Sequence, residues 1–561
     1  MEKFWLESYP EGIPNDVDPN QYTSLGQLLE ESFHKNADRP FSVCLERWMS
    51  YRQLDELSSS LGAWLQGLGL APDARVAIML PNIPQFAVTM SAILRAGYTC
   101  VNVNPLYTAR ELEHQLKDSG ATAIVVLENF AHTLEEVIDR TQVQHVVLTA
   151  MGDQLSAWYG RWITFAVRHL AKMVPAYRLP LTNGRTVTPW RQALAAGARH
   201  TLKKPASTLD SIAFLQYTGG TTGLSKGAVL THRNIVAAIL QAEAWFTPAL
   251  KRIGDVRSTN SIAALPLYHI FALTLCFLAI RWGSHLTLIP NPRDIGKFVE
   301  TLKRRPFHML PAVNTLFNAL LQHPQFRSID FSHLCLSQAG GMAASEGTAK
   351  HWREVTGCAM IEGWGMSETC AIGTNNPVNA DRFSGTIGLP LPGIELAIKD
   401  DAGNSLPVGE SGEICIRGPN VMTGYYRQPA ETAQAFTPDG FMRTGDVGIM
   451  DAKGYTKIVD RKKDMILVSG FNVFPSELEN VISLCDGVLE CAVIGVPDAK
   501  QGEAIKVYVV RSDPTLSEDD VAKYCHDNLT GYKHPKYIEF RDELPKSNVG
   551  KVLRRELRAG K

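Results

Sequence analysis

The chain has 561 residues, 45% of them hydrophobic, enough for a large packed core and for two or more domains. Its 56 basic residues are balanced by 57 acidic ones, which excludes a global attraction to nucleic acid or another polyanion. The ten cysteines are scattered, with no CxxC pair and no zinc-ligand spacing, and read as reduced thiols of a cytoplasmic protein.

The opening "MEKFWLESYP" carries acids and an early proline and is expected to be no signal peptide. Residues 24–36 and 51–68 have helical spacing, whereas "ARVAIML" (74–80), "TAIVVLE" (122–128) and "HVVLTA" (145–150) are short apolar runs that read as buried strands. This alternation predicts an α/β fold with largely parallel sheets. Residues 155–180 place Leu155, Trp162, Ala166, Leu170 and Met173 on one broad helical face and Arg161, Arg168 and Lys172 on another. That pattern fits a helix lying in a membrane interface, and equally an ordinary surface helix with a solvated basic side.

Residues 263–280, "AALPLYHIFALTLCFLAI", contain no Asp, Glu, Lys or Arg over 18 positions. Pro266, Tyr268 and His269 near their start argue for a buried core helix after a loop rather than a membrane span. Residues 393–418 form a β-rich region around a "DDAGN" turn. "DRKKD" (460–464) packs five charges between two apolar strands, which predicts an exposed connector or hinge. Beyond it a helix (475–484), two strands (490–496 and 504–510) and a second helix (518–529) suffice for an independent domain of about 100 residues. The expected organisation is a large domain over 1–459, with a β-rich subdomain, and a small α+β domain over 460–561.

"YTGGTTGLSKG" (217–227) carries the chemistry of a phosphate-holding loop. Glycines let backbone N–H groups turn toward an anion, hydroxyls of Thr218, Thr221, Thr222 and Ser225 add donors, and Lys226 adds charge. It is not a Walker A loop: counted from Gly220, the second required glycine is Ser225, and Gly227 stands where Ser or Thr must follow the lysine. The strand-like "IAFLQY" before it hangs the loop at a strand end, where α/β proteins place ligands.

This loop resembles the phosphate-binding signature of the adenylate-forming enzymes, the superfamily of acyl-CoA synthetases, adenylation domains and luciferases. Companion motifs follow in the expected order across nearly the whole chain. The resemblance implies nucleotide binding by Thr218, Gly219, Gly220, Thr221, Thr222, Gly223, Ser225 and Lys226. "LPLYHIFAL" is similar to the segment lining the carboxylate pocket, which implies Tyr268 and His269 at the acyl site, with Gly340 and Gly341 of "LSQAGGMAAS" beside them. That last stretch departs from the AGGGMP pattern at Gln338, Ala339 and Ala343. "EGWGMSET" resembles GYG-[LM]-TE. It implies that Trp364 packs beside adenine with Gly363 and Gly365 in the nucleotide site, Ser367 contacts the α-phosphate and Glu368 helps hold Mg²⁺. Trp replaces the family's Tyr, without its phenol O–H, and Ser replaces Thr.

"FMRTGDVG" looks like the TGD motif, whose Asp446 would accept from the ribose hydroxyls. "IVDRKKDMILVSGFNVFP" resembles the hinge, implying Asp460 as pivot, Arg461 on ribose or phosphate, and a loop around Gly470 that approaches the thioester site. "LPKSNVGKVLRREL" matches PKxxxGK and implies Lys551 as the catalytic lysine. An ammonium between carboxylate and α-phosphate would stabilise the charge of their transition state.

The implied reaction uses ATP, Mg²⁺ and coenzyme A: a carboxylate becomes acyl-AMP, then a thioester, with the small domain rotating between steps. Stretches such as 101–121 and "VNTLFNALL" look like the long-chain fatty-acid branch, which implies a fatty acid as substrate. A medium-chain or aryl substrate, and a membrane-surface fatty-acid carrier without catalysis, are the alternatives, the latter opposed by intact Lys551, Glu368 and Asp446. Residues 155–180 would suit an enzyme peripheral on the inner face of the membrane. A homodimer stays open.

Overall fold

The computed structural model describes residues 3–218, 225–461, 464–468, 471–498, 501–547 and 550–560. Among them two large sheets form an α/β body. One has eight strands and is parallel from Ile212–Thr218 through Thr99–Asn102, Arg75–Met79, Ala123–Leu127 and His145–Thr149 to Thr186–Pro189. Its other edge turns antiparallel, with Lys226–Thr231 beside Ile212–Thr218 and Gly424–Tyr425 outermost. The second has nine strands and runs from Leu389–Pro390 through Met360–Trp364, Leu336–Ala339 and Met309–Ala312 to the hairpin Pro40–Cys44 and Arg47–Ser50.

Local signals explain where helices begin. Ser24 caps Leu25–Lys35, and Ser50, Thr108 and Thr231 each close a capping box on the helix that follows. The apolar run at 263–280 splits as expected into strand end, loop and helix. Helix Ile270–Trp282 has 13 residues and is almost wholly buried. At 1.5 Å per residue it reaches only about 20 Å, short of the roughly 30 Å of a bilayer core. No helix among the described residues is long and apolar enough to cross a membrane.

The β-rich region is a four-stranded antiparallel sheet, Glu395–Lys399, Ser411–Arg417, Met442–Met450 and Thr456–Arg461, and its first turn is tied by the Asp400 N–H to the Asn404 carbonyl. The C-terminal part is α+β. Strands Val488–Asp498 and Gly502–Arg511 pair over most of their length, Tyr537–Arg541 adds in parallel, and helices Pro475–Ile482 and Glu518–Asn528 cover the sheet.

The 460–464 charge cluster differs from an exposed connector. Asp460 is a buried residue at the end of strand Thr456–Arg461, and its carboxylate accepts from the Ser476 and Arg461 N–H groups at 2.8 and 2.6 Å. Asp464 is buried too, and accepts from Arg558 at 3.0 Å. Lys462 and Lys463 lie outside the described residues. The two carboxylates of the run become internal because each found a donor, which counting charges does not reveal.

Candidate active site

The phosphate-loop stems are held from both sides. Thr218 ends one strand and pairs in register with Lys226, the first residue of the next. His114, on helix Ala109–Ser119, bonds the Ser225 carbonyl at 2.9 Å, and Asp118 of the same helix accepts from the Tyr217 hydroxyl at 2.6 Å. Gly219, Gly220, Thr221, Thr222 and Gly223 lie outside the described residues, as does Gly470.

Turn Ser367–Thr369 packs against both loop stems and brings Glu368 beneath them. Glu368 is buried and accepts from the Tyr425 hydroxyl at 2.9 Å. Burial raises its pKa above the usual carboxylate value, and the Tyr425 hydrogen bond and the Arg461 charge oppose that rise. Lys226 is ion-paired with Glu431 and lies over the Tyr425 ring at 5.4 Å. Tyr425 therefore links the loop lysine to Glu368.

The second constellation is Asp446 with Trp364 and Arg461. Trp364 donates its indole Nε1–H to Asp446 Oδ2 at 2.8 Å, and Arg461 Nε lies 3.0 Å from Oδ1. The indole N–H thus supplies a hydrogen bond where the phenol O–H is missing. Gly445, with φ 72°, sits inside strand Met442–Met450 where its register with Ser411–Arg417 shifts, just before Asp446, and a Cβ at Gly373 would meet the Trp364 ring at 2.6 Å.

The acyl segment lies across the sheet ends. His269 caps helix Ile270–Trp282 by accepting from the Phe271 N–H at 3.4 Å. Burial, and secondarily the charge of Lys551, push its pKa down to about 4, so the imidazole is neutral at physiological pH. Lys551 comes from the opposite end of the chain, yet it lies close enough to His269 to bias its titration. Tyr268 is half-buried, and its carbonyl accepts from Gln216 at 3.0 Å. A Cβ on Gly340 would meet Phe271 at 3.1 Å, so this glycine permits close approach of acyl loop and helix. Gly341 has φ 78°. Gln338 is buried behind them, donating to the Ala339 carbonyl at 3.2 Å, with its Oε1 unpartnered among the described residues.

Sequence reasoning assigned no role to Tyr425, Glu431, His114 or Glu362. Glu362 is buried and accepts from the Ala344 N–H at 3.0 Å, bracing the acyl loop, and burial pushes its pKa up to about 7. Its place at the head of "EGWGMSET" was the available signal. Tyr425 and Glu431 follow the β-rich region with no motif chemistry of their own.

A single buried carboxylate beside a phosphate loop fits Mg²⁺, which keeps waters and takes one or two carboxylates together with substrate phosphates. No group of three His, Cys, Asp or Glu side chains that could hold a metal unaided occurs among the described residues.

The AMP-binding enzyme family pattern matches residues 29–426, and that of the AMP-binding enzyme C-terminal domain matches residues 477–551. A long-chain-fatty-acid–CoA ligase of Yersinia pestis is 50% identical over 560 residues, covering 100% of this chain and 98% of its own. The ligase of that name from Escherichia coli is 49% identical over the same coverage. A solved anthranilate CoA ligase in complex with anthranoyl-AMP superposes with a TM-score of 0.84 at 25% identity, over 97% of this chain and 99% of the other.

Proposed function

The chain belongs to the AMP-binding enzymes, and from that membership we propose that it ligates a long-chain fatty acid to coenzyme A, releasing AMP and pyrophosphate. The observation that carries this reading is the contact of Gly550, next to Lys551, with Val313 and Thr315 beside the acyl loop, which brings the second lysine of the motif to the acyl segment. Near 50% identity over the whole chain to ligases named for long-chain fatty acids supports the substrate.

In this reading the domain boundary lies at Asp460, and the large domain, 1–459, holds the nucleotide. Trp364 packs on adenine, Asp446 accepts from the ribose hydroxyls, and the loop from Thr218 to Lys226 with Ser367 receives the phosphates. Glu368 would hold Mg²⁺, which would supply neutralising charge to the phosphates when bound. Lys551 lies between the acyl carboxylate and the α-phosphate. A carboxylate oxygen attacks the α-phosphorus, the bond to the bridging oxygen breaks, and pyrophosphate leaves. Neutral His269 orients the carboxylate without holding it as an ion pair. The small domain, 460–561, then rotates about Asp460. The thiol sulfur of coenzyme A attacks the acyl carbonyl, its proton passes to solvent, and AMP departs with the anhydride oxygen.

A scan of acids with pyrophosphate release as readout tests the substrate. Palmitate and oleate should exceed octanoate and benzoate by at least about tenfold in kcat/KM, since each buried methylene contributes about 0.8 kcal/mol. Octanoate or benzoate in the lead would overturn the long-chain assignment.

A second reading concerns location. Trp158 and Trp162 are 84% and 58% exposed on helix Ala157–Phe165, and Arg161 lies over the Trp158 ring at 5.8 Å. Exposed indoles beside guanidinium groups fit the headgroup layer of a membrane with anionic lipid. The enzyme would then be peripheral on the inner face and collect its acid there. Replacing both tryptophans with serine should weaken binding to anionic liposomes about tenfold without lowering Tm; unchanged binding returns the helix to ordinary surface.

A further inference from the structure

The turn that carries Lys551 has a specific landing place on the large domain. Its own shape is set by short bonds. The Ser547 N–H donates to the Lys551 carbonyl at 2.7 Å, the Gly550 N–H to the Ser547 carbonyl at 2.9 Å, and the Lys551 N–H to Ser547 Oγ at 3.2 Å. Gly550 has φ 82°. A Cβ built there would lie 2.6 Å from Thr315 Oγ1 and 3.4 Å from Val313 Cγ2. The turn therefore rests with its backbone directly on the start of helix Asn314–Gln322, at a spot where no side chain fits between them.

Val313 and its neighbour Asn314 also brace the acyl loop. Val313 turns its other methyl to Gly341, whose Cβ would meet Cγ1 at 3.5 Å, and Asn314 Oδ1 accepts from the Ser345 N–H at 3.2 Å. One short segment thus touches the lysine turn on one side and the acyl loop on the other.

We infer that residues 313–315 are the docking seat that positions Lys551 for the adenylation step, with Thr315 and Val313 as positioning residues and Gly550 as the glycine that lets the turn sit down. This inference rests on the ligase reading, because it assigns the seat to the first half-reaction alone. After rotation the turn leaves the seat, so the thioester step is indifferent to it.

A double-mutant cycle across the two domains tests it. Gly550→Ala should slow acyl-AMP formation by about 30-fold, the scale of a sub-ångström to ångström misplacement at a reacting centre. Thioester formation from supplied acyl-AMP should stay within about twofold. Thr315→Ala alone should cost less than about threefold, and in the Gly550→Ala background it should restore about fivefold by removing the oxygen that the new methyl meets. The remaining deficit belongs to alanine at positive φ. Hydrogen exchange gives a readout that needs no catalysis. Amides of Lys551 and Val552 should exchange faster in Gly550→Ala and partly recover in the double variant. Additive effects in the cycle with unchanged exchange overturn the seat, as does equal damage to both half-reactions. A wild-type protein that forms no acyl-AMP from any acid would instead sink the ligase reading, leaving the exchange experiment to judge the seat.

Discussion

The nucleotide-facing floor of the large domain and the lysine turn of the small one are built in opposite ways. On the floor each charged group is already engaged: Asp446 by Trp364 and Arg461, Glu368 by Tyr425, Lys226 by Glu431. Trp364 and Tyr425 come from strands of the large sheets and Glu431 from the short helix Pro429–Ala435, whereas Arg461 stands next to the proposed pivot at Asp460. The lysine turn instead reaches its place through backbone contact at Gly550 and the approach of Lys551 to His269. A group that must come and go cannot be wired into the core. In the proposed mechanism half of the site is preorganised and the other half is delivered.

The largest expected effect tests that division directly. Lys551→Ala should lower the rate of acyl-AMP formation by about 10³-fold, about 4 kcal/mol of transition-state stabilisation, with much less effect on thioester formation from supplied acyl-AMP. Equal loss in both would mean that the lysine belongs to the floor after all.

Glu362 tests whether the floor stores an electrostatic cost. Its carboxyl titrates near 4.5 when solvated and at about 7 in the fold, so the folded state binds the proton more tightly than the unfolded chain. The stabilisation this gives is complete below about pH 4.5 and is lost as pH rises to about 7, after which it changes no further. Glu362→Gln keeps an acceptor for the Ala344 N–H and cannot ionise. Its stability relative to the parent should therefore rise by about 3 kcal/mol between pH 4.5 and 7.5, read from urea unfolding at the two pH values. A relative stability that does not change with pH would show that the carboxyl is solvated.

Asp446→Asn comes next. It turns one acceptor oxygen into a donor facing Trp364 or Arg461, and should raise KM for ATP about 20-fold while kcat changes less than about threefold. An unaltered nucleotide affinity, measured by calorimetry, would remove Asp446 from the floor.

What was legible in the sequence follows the same line. Strands such as Ala123–Leu127 and helices such as Tyr51–Gly67 announce themselves by period and cap, because their burial depends on their own residues. The stretch 155–180 was read only in part: helix Ala157–Phe165 and one wider turn to Leu170 replace a single long helix, Leu155 is buried, and Arg168 pairs with buried Glu128 instead of lying on a solvated side. Motif positions marked Asp446, Trp364 and Arg461, which partner one another, but the partners of Glu368 and Lys226 come from elsewhere. Tyr425 is 57 positions from Glu368, and Glu431 is 205 from Lys226. Asp460 and Asp464 misled because charge predicts exposure only until tertiary donors such as the Ser476 N–H and Arg558 are brought up. Residues 313–315 open the stretch "VNTLFNALL" and Gly550 stands in PKxxxGK, but nothing in either motif said that the two meet.

Tyr425 offers the smallest and most discriminating test of the wired floor. Its ring lies under the Lys226 ammonium and its hydroxyl donates to Glu368, so two substitutions separate the contacts. Tyr425→Phe keeps the ring and deletes the O–H, leaving a buried Glu368 carboxylate with one donor fewer; the apparent affinity for Mg²⁺, measured with ATP held constant, should weaken about fivefold. Tyr425→Leu also removes the aromatic face and should add a further loss of about twofold in KM for ATP through Lys226. If the two variants behave alike, the ring contributes nothing to the lysine, and Glu431 alone holds it. If Tyr425→Phe binds Mg²⁺ as tightly as the parent, the hydroxyl is only packing, and Glu368 is oriented by its own turn.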